Sequence, residues 1–133
     1  MTPRQAQPVE VDPFDLPDWL GERDVVWSSD AGLRTGHRVP GRLVSAPDEI
    51  ACDLLAVDEA YPQPVTATPL RSATHQAWRH GQIHLASYDG RLALLVPGTS
   101  FDADRALEAV GRLAKAVGAS PVRYAVQLRV GHP

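Results

Sequence analysis

The chain has 133 residues, of which 44% are hydrophobic and 22% are charged, and its formal net charge at pH 7 is −3. This length and composition are typical of one globular domain that folds without disulfides or a structural metal. A net negative charge opposes the counterion release that drives nucleic-acid binding, so we expect no nucleic-acid partner.

The location of the protein is inferred from its apolar runs and its single cysteine. No apolar run approaches the roughly 18 residues that span a bilayer, and the first residues lack the basic start and apolar middle of a signal peptide. Cys52, the one cysteine, cannot form an internal disulfide. The sequence therefore predicts a cytoplasmic protein that has no membrane partner.

The N-terminal part of the sequence divides into two segments. Residues 1–12 hold two prolines and no apolar periodicity, which predicts a mobile arm ahead of a single domain at residues 13–133. The stretch PFDLPDWLGERD then places apolar side chains among carboxylates. These side chains either pack on the domain's own core or bind a partner protein. The candidate partner-binding residues are Phe14, Leu16, Trp19 and Leu20.

Strands are predicted in the region of Val25 and over residues 37–45. The second is interrupted at Pro40, which cannot donate a ladder hydrogen bond and so belongs at an edge or a bulge. The next stretch, Ser45–Tyr61, has two interpretations. Apolar residues recur at helical spacing behind a possible N-cap at Ser45, whereas a type I turn at residues 46–49 would make residues 50–57 a strand. The helical interpretation is slightly favoured, and the choice stays open.

The second half of the chain gives sharper signals. A helix is predicted from the N-cap Thr68 to Gly81, where glycine permits the left-handed backbone that ends a helix. The pair Asp89-Gly90 is typical of a type I′ turn and predicts a β-hairpin. A further helix is expected between Asp102 and Gly118, and apolar alternation after it predicts a terminal strand with one solvated face.

These elements predict an α+β fold in one domain. We expect a mostly antiparallel sheet on which two or three helices pack. At the C-terminal end, the hairpin, helix and strand should follow one another as a unit.

Three of the five histidines lie at positions 75, 80 and 84. At about 100° per residue, His75 and His80 lie about 140° apart around the helix axis, and Gly81 separates His80 from His84. A zinc site needs three or four ligands. We therefore expect no metal, no cofactor and no catalytic residue here.

The same helix also carries a cationic stripe, in which Arg71, His75 and Arg79 are spaced four residues apart. It is either a solvated face or a site for an anion. Such an anion could be the acidic segment Asp12–Glu22, bound within one molecule or across a dimer.

Two weaker chemical signals involve residues outside this helix. His37, Arg38 and Arg42 form a small cationic group that could bind a phosphate, but no glycine-rich loop accompanies them. The apolar neighbours of Cys52 favour a buried, unreactive thiol.

Two classes of function fit this sequence. The favoured one is a small cytoplasmic interaction or regulatory module without enzymatic activity. Its partner would be another protein or a second copy, bound through the terminal edge strand or the N-terminal arm. The alternative is an anionic-metabolite binding protein or enzyme with a pocket between helix and hairpin. Its candidate ligand-binding residues are Arg71, His75, Trp78, Arg79, His80, His84 and Tyr88.

Overall fold

The computed structural model describes residues 8–29, 38–57, 68–98 and 101–128. In this part of the chain an eight-stranded, mostly antiparallel sheet carries three helices, which confirms the α+β prediction. The strands are β1 (Val9–Glu10), β2 (Val25–Ser29), β3 (Arg38–Val39), β4 (Gly41–Ser45), β5 (Asp48–Ala56), β6 (His84–Tyr88), β7 (Arg91–Val96) and β8 (Tyr124–Leu128). The helices are α1 (Trp19–Glu22), α2 (Thr68–Arg79) and α3 (Ala103–Ala116), and short 3-10 turns occupy Pro13–Asp15 and Pro121–Arg123.

The strands follow the order β1-β6-β7-β5-β4-β2-β8 across the sheet, and β3 pairs with β5 beside β4. The pairs β5–β7 and β2–β8 are parallel, and the other pairs are antiparallel. Strand β5 is therefore central, because β7 pairs with one of its edges while β4 and β3 share the other.

The strands β3 and β4 are one extended segment interrupted at Pro40. Val39 faces Leu54 and Arg42 faces Ala51 on β5, so both parts keep a single register. The proline removes a ladder donor without adding a residue. The expected interruption is present, but it is not a bulge.

The favoured helix within Ser45–Tyr61 is wrong. A strand forms as in the alternative, but it begins at Asp48, and the predicted type I turn at residues 46–49 is not present. A tight turn at Ala46-Pro47, whose peptide bond is cis, leads into β5. Every residue from Cys52 to Val57 is buried, as in a central strand covered on both faces, where apolar alternation is lost. Residues 58–61 of the predicted helix lie outside the described part of the chain.

Two apolar clusters form on opposite faces of the sheet. On one face, side chains such as Trp27, Leu54 and Leu94 pack against α3 and make the main core. On the other face, α2 packs over β6 and β7 above a smaller cluster that includes Leu55 and Leu95. The strands β4, β2 and β8 keep half-buried or exposed side chains on this second face.

The predicted C-terminal ends of α2 and α3, the cap at Asp102 and the hairpin turn are confirmed, whereas Thr68 is the first residue of α2 and not its N-cap. Gly81 and Gly118 have φ values of +76° and +83°, and the next N–H after each donates to the carbonyl five residues earlier at 2.8 Å. Asp102 caps α3 by accepting from the Arg105 N–H at 2.7 Å. Asp89 and Gly90 both have positive φ, as a type I′ turn requires. None of the helices described is long and apolar enough to cross a membrane.

Part of the predicted N-terminal arm pairs with the sheet. Val9–Glu10 forms β1 against β6, and the Val11 N–H donates to the Leu85 carbonyl at 3.0 Å. Residues 1–7 of the arm lie outside the described residues.

We expect opposite changes in the free energy of unfolding when one methyl group is added at Gly41 and at Gly111. A Cβ at Gly41 would lie 2.6 Å from Cζ2 of Trp27, so Gly41→Ala should lower the free energy of unfolding by about 1–3 kcal/mol. A Cβ at Gly111, within α3, would meet nothing within 4 Å, and Gly111→Ala should raise that free energy by about 0.5–1 kcal/mol through helix propensity. Denaturant unfolding measures both, and changes of the same sign would contradict the packing described.

Candidate functional site

The three histidines of residues 75–84 lie apart. Helix α2 ends before Gly81, and His84 belongs to β6. His75 Nε2 lies 3.3 Å from the Val57 carbonyl oxygen, while His80 is exposed. In the described ranges, no three side chains of the types His, Cys, Asp or Glu are grouped so that they could hold one metal ion. The helix ends at Gly81 as the sequence predicts, so His75 and His84 belong to different elements.

Trp78 and Tyr88, expected to line one pocket, contact different arginines. Cζ of Arg112 lies 3.5 Å from the Trp78 ring centroid, and its Nη1 donates to the Trp78 carbonyl at 2.6 Å. Cζ of Arg38 lies 5.2 Å from the Tyr88 ring centroid. Tyr88 is four residues from His84 along β6, which at roughly 3.3 Å per residue is about 13 Å. The structure does not bring these candidate ligand-binding residues together, and the ligand-binding alternative stays a prediction.

The remaining ligand-binding candidates have mixed surroundings. Arg79 is exposed, and Arg71 is half-buried with contacts of its own. The Nε2 atom of His84 is buried and has no hydrogen-bond partner in the part of the chain described.

The acidic segment does not lie on the cationic stripe of α2 within one molecule. It packs beside the end of α3, where a Cβ on Gly21 would be 2.6 Å from the Val117 carbonyl oxygen. Its docking on the stripe across a dimer stays a prediction.

A charged cluster that the sequence analysis did not predict is centred on Asp53 of β5. The Asp53 side chain is 1% exposed, and Arg91 donates to both of its oxygens at 2.9–3.1 Å. Arg38 Nε donates to Oδ2 at 3.0 Å, and the Gly41 N–H donates to Oδ1 at 3.2 Å. A buried carboxylate is tolerated only with such partners. The cluster therefore joins β3, β4, β5 and β7.

The cluster satisfies the backbone at the interruption beside Pro40. Arg91 Nη2 donates to the Gly41 carbonyl at 3.0 Å, so both polar backbone groups of Gly41 are bonded within the cluster. Arg38 Nη1 also lies 3.2 Å from Asp89 Oδ2. Burial lowers the pKa of Arg38, but the hydrogen bonds to Asp89 and Asp53 outweigh it and hold that pKa above its ordinary value. Two arginines thus face two carboxylates, Asp53 and Asp89. We call the group of Asp53, Arg91, Arg38 and the Gly41 backbone the clamp, because its hydrogen bonds connect four strands.

The phosphate hypothesis for Arg38 and Arg42 gains no support from their contacts. Arg38 is bound to two carboxylates, and Nη1 of Arg42 lies 3.4 Å from Oε2 of Glu49. His37 lies outside the described residues. The signal for the clamp was Asp53 itself, the one charged residue in the apolar run at 50–57. Its two arginine partners are 15 and 38 residues away along the chain.

The four candidate partner-binding residues differ in their exposure to solvent. Leu20 is fully buried, and Leu16 and Trp19 are half-buried against the main core. Phe14 is instead 94% exposed. The Tyr124 hydroxyl donates to the Leu20 carbonyl, and burial raises the pKa of that hydroxyl. The segment is thus anchored by three apolar side chains and presents the fourth.

Strand β8 lies at one edge of the sheet. Its alternation is as predicted, with Tyr124 buried, Val126 and Leu128 half-buried, and Ala125 and Gln127 exposed. It pairs with β2 over five residues, and no second neighbour is present among the described strands. Among the described residues, the outer edge of β8 therefore has no strand that pairs with its backbone groups.

Comparisons of the chain with protein-family models, with characterised proteins and with solved structures find no match.

We expect Arg91→Met to destabilise the protein strongly, because it removes the principal partner of a buried carboxylate. The free energy of unfolding should fall by about 3 kcal/mol. Arg79→Met, which removes an exposed arginine from α2, is the matched control and should change it by less than about 0.5 kcal/mol. Denaturant unfolding compares the two, and equal losses would contradict the clamp.

Cys52 should be unreactive in the folded protein. It is fully buried, and burial followed by the charge of Asp53 raises the pKa of its thiol, so little thiolate forms. A water-soluble aromatic disulfide should modify it only after guanidinium unfolding. Rapid modification in native buffer would show that the thiol is accessible.

Proposed function

We propose that this chain is a small non-enzymatic interaction module that self-associates through the outer edge of β8. The observation that supports this most directly is the position of β8 at the end of the sheet, with β2 as its one described neighbour. Unpaired N–H and C=O groups along such an edge are suited to pairing with another chain.

Over its described residues, Tyr124–Leu128, β8 has none of the sequence features that usually prevent edge pairing. Its sequence, YAVQL, has no charge and no proline, and its register with β2 is continuous over five residues. The opposite edge is formed by β1, which is only two residues long. Short strands, charges, prolines and bulges are the usual protection of edges, so β8 is the more favourable of the two for pairing.

A second copy is the partner that best fits this strand. Antiparallel pairing about a two-fold axis in register, for example Val126 opposite Val126, keeps like faces together. Val126 and Leu128 are half-buried beside the main core. In this register Val126 would lie opposite Val126 of the other copy, and Leu128 opposite its Tyr124. A cytoplasmic location is part of the proposal, and the free, buried thiol of Cys52 is consistent with it.

The test is light scattering coupled to size-exclusion chromatography. The natural chain should show a concentration-dependent shift toward twice the mass of one chain. The variant Ala125→Lys/Gln127→Lys places two positive charges on exposed positions of β8. Because like charges would face each other across the pair, its dimer dissociation constant should rise by about tenfold or more.

The matched control carries the same charges on the exposed side of α2. Ser72→Lys/Gln76→Lys should dimerise like the natural chain, since both positions are exposed and distant in sequence from β8. A strict monomer at high concentration would overturn the proposal, as would equal weakening by both double variants. Circular dichroism verifies that each variant is folded.

A further inference from the structure

A groove separates the segment Pro13–Glu22 from the C-terminal end of α3. Its volume is about 440 Å³, and apolar parts of Leu16, Pro17, Ala116 and Val117 line it. Phe14 also lines it, and this side chain is 94% exposed. We call this feature the Phe14 groove.

The fold does not account for the position of Phe14. Leu20 and Trp19 of the same segment pack on the main core, and Leu20 is fully buried. Phe14 is the most exposed of the large apolar side chains in the part of the chain described. Its N–H is bonded to Asp12 Oδ1 at 2.9 Å, within the 3-10 turn Pro13–Asp15. An exposed aromatic ring beside an apolar groove is the kind of residue that dominates binding energy at interfaces.

The charges around the groove are mainly negative. Residues 12–22 include four carboxylates and no basic side chain. Asp18 and Glu22 line the groove, and the described residues give neither of them an ion pair. The C-terminal end of α3, which forms the opposite wall, adds the negative end of the helix dipole. Lys115 is the one basic residue of the lining.

We propose that the Phe14 groove binds a segment of a partner protein in which lysine or arginine side chains adjoin apolar ones. The apolar side chains would cover Phe14 and the groove floor. The cationic side chains would pair with Asp18 and Glu22. This surface is distinct from the β8 edge and needs no self-association.

The test uses three fluorescein-labelled synthetic peptides of equal length. The first is built from lysine and leucine, the second replaces leucine by serine, and the third replaces lysine by glutamate. Fluorescence anisotropy with the full chain should show binding of the lysine–leucine peptide only. That binding should weaken as salt is added, because ionic strength screens the carboxylates.

Two variants test the two components of the groove. Phe14→Ala should raise the dissociation constant of the lysine–leucine peptide by about tenfold or more. Asp18→Asn/Glu22→Gln should raise it and also flatten its salt dependence. Leu107→Ala, at a half-exposed apolar position on α3, is the control and should bind as the natural chain does. Phe14 is exposed, so its replacement should leave thermal unfolding unchanged.

Several outcomes would overturn the proposal. It fails if the lysine–leucine peptide does not bind, if either comparison peptide binds as tightly, or if Phe14→Ala has no effect. It also fails if Phe14→Ala abolishes self-association, because a second copy is then the occupant. The variant Ala125→Lys/Gln127→Lys should bind the peptide normally, so that failure at the groove and failure at β8 are distinguished.

Discussion

A buried carboxylate organises the centre of the sheet. Asp53 lies on β5, whose edges pair with β7 on one side and with β4 and β3 on the other. Without its partners, this charge would destabilise the fold by several kcal/mol. Arg91, Arg38 and the Gly41 N–H must therefore be in place whenever β5 is. The neighbours of the central strand are specified by this charge as well as by apolar packing.

The clamp also lies at the boundary between the part of one sheet face that is buried beneath α2 and the part that is partly exposed. Asp53 is opposite Ala93, and Arg38 is opposite Leu55. Ala93 and Leu55 both belong to the cluster beneath α2. Arg38 and Arg91 are both partly exposed, so each guanidinium joins the buried carboxylate to solvent. On the far side, β4, β2 and β8 keep a partly solvated face. Helix α2 thus covers the β6 and β7 side of this face and not the side that ends at β8.

The sequence predicts those elements whose signals are local. The helix ends at Gly81 and Gly118, the Asp89-Gly90 turn and the alternation in β8 each depend on a few adjacent residues. The prediction for Asp48–Ala56 is wrong because burial on both faces removes the apolar alternation of a strand, while the residues of the preceding turn resemble a helix cap. The clamp could not be derived either, since its arginines come from distant parts of the chain. Likewise, no sequence pattern separates the exposed Phe14 from the buried Leu20, because their difference arises only when the segment packs on α3.

The acidic segment and the edge strand share one structural support. The Tyr124 hydroxyl, at the start of β8, donates to the Leu20 carbonyl. Arg123 Nη1 donates to the Glu22 carbonyl at 3.1 Å. Because these two bonds join the start of β8 to the segment that carries Phe14, the main core holds both surfaces at one end of the molecule. A partner in the Phe14 groove and a second copy on β8 would therefore approach neighbouring parts of the molecule, so the groove favours an extended segment that leaves room for the second copy.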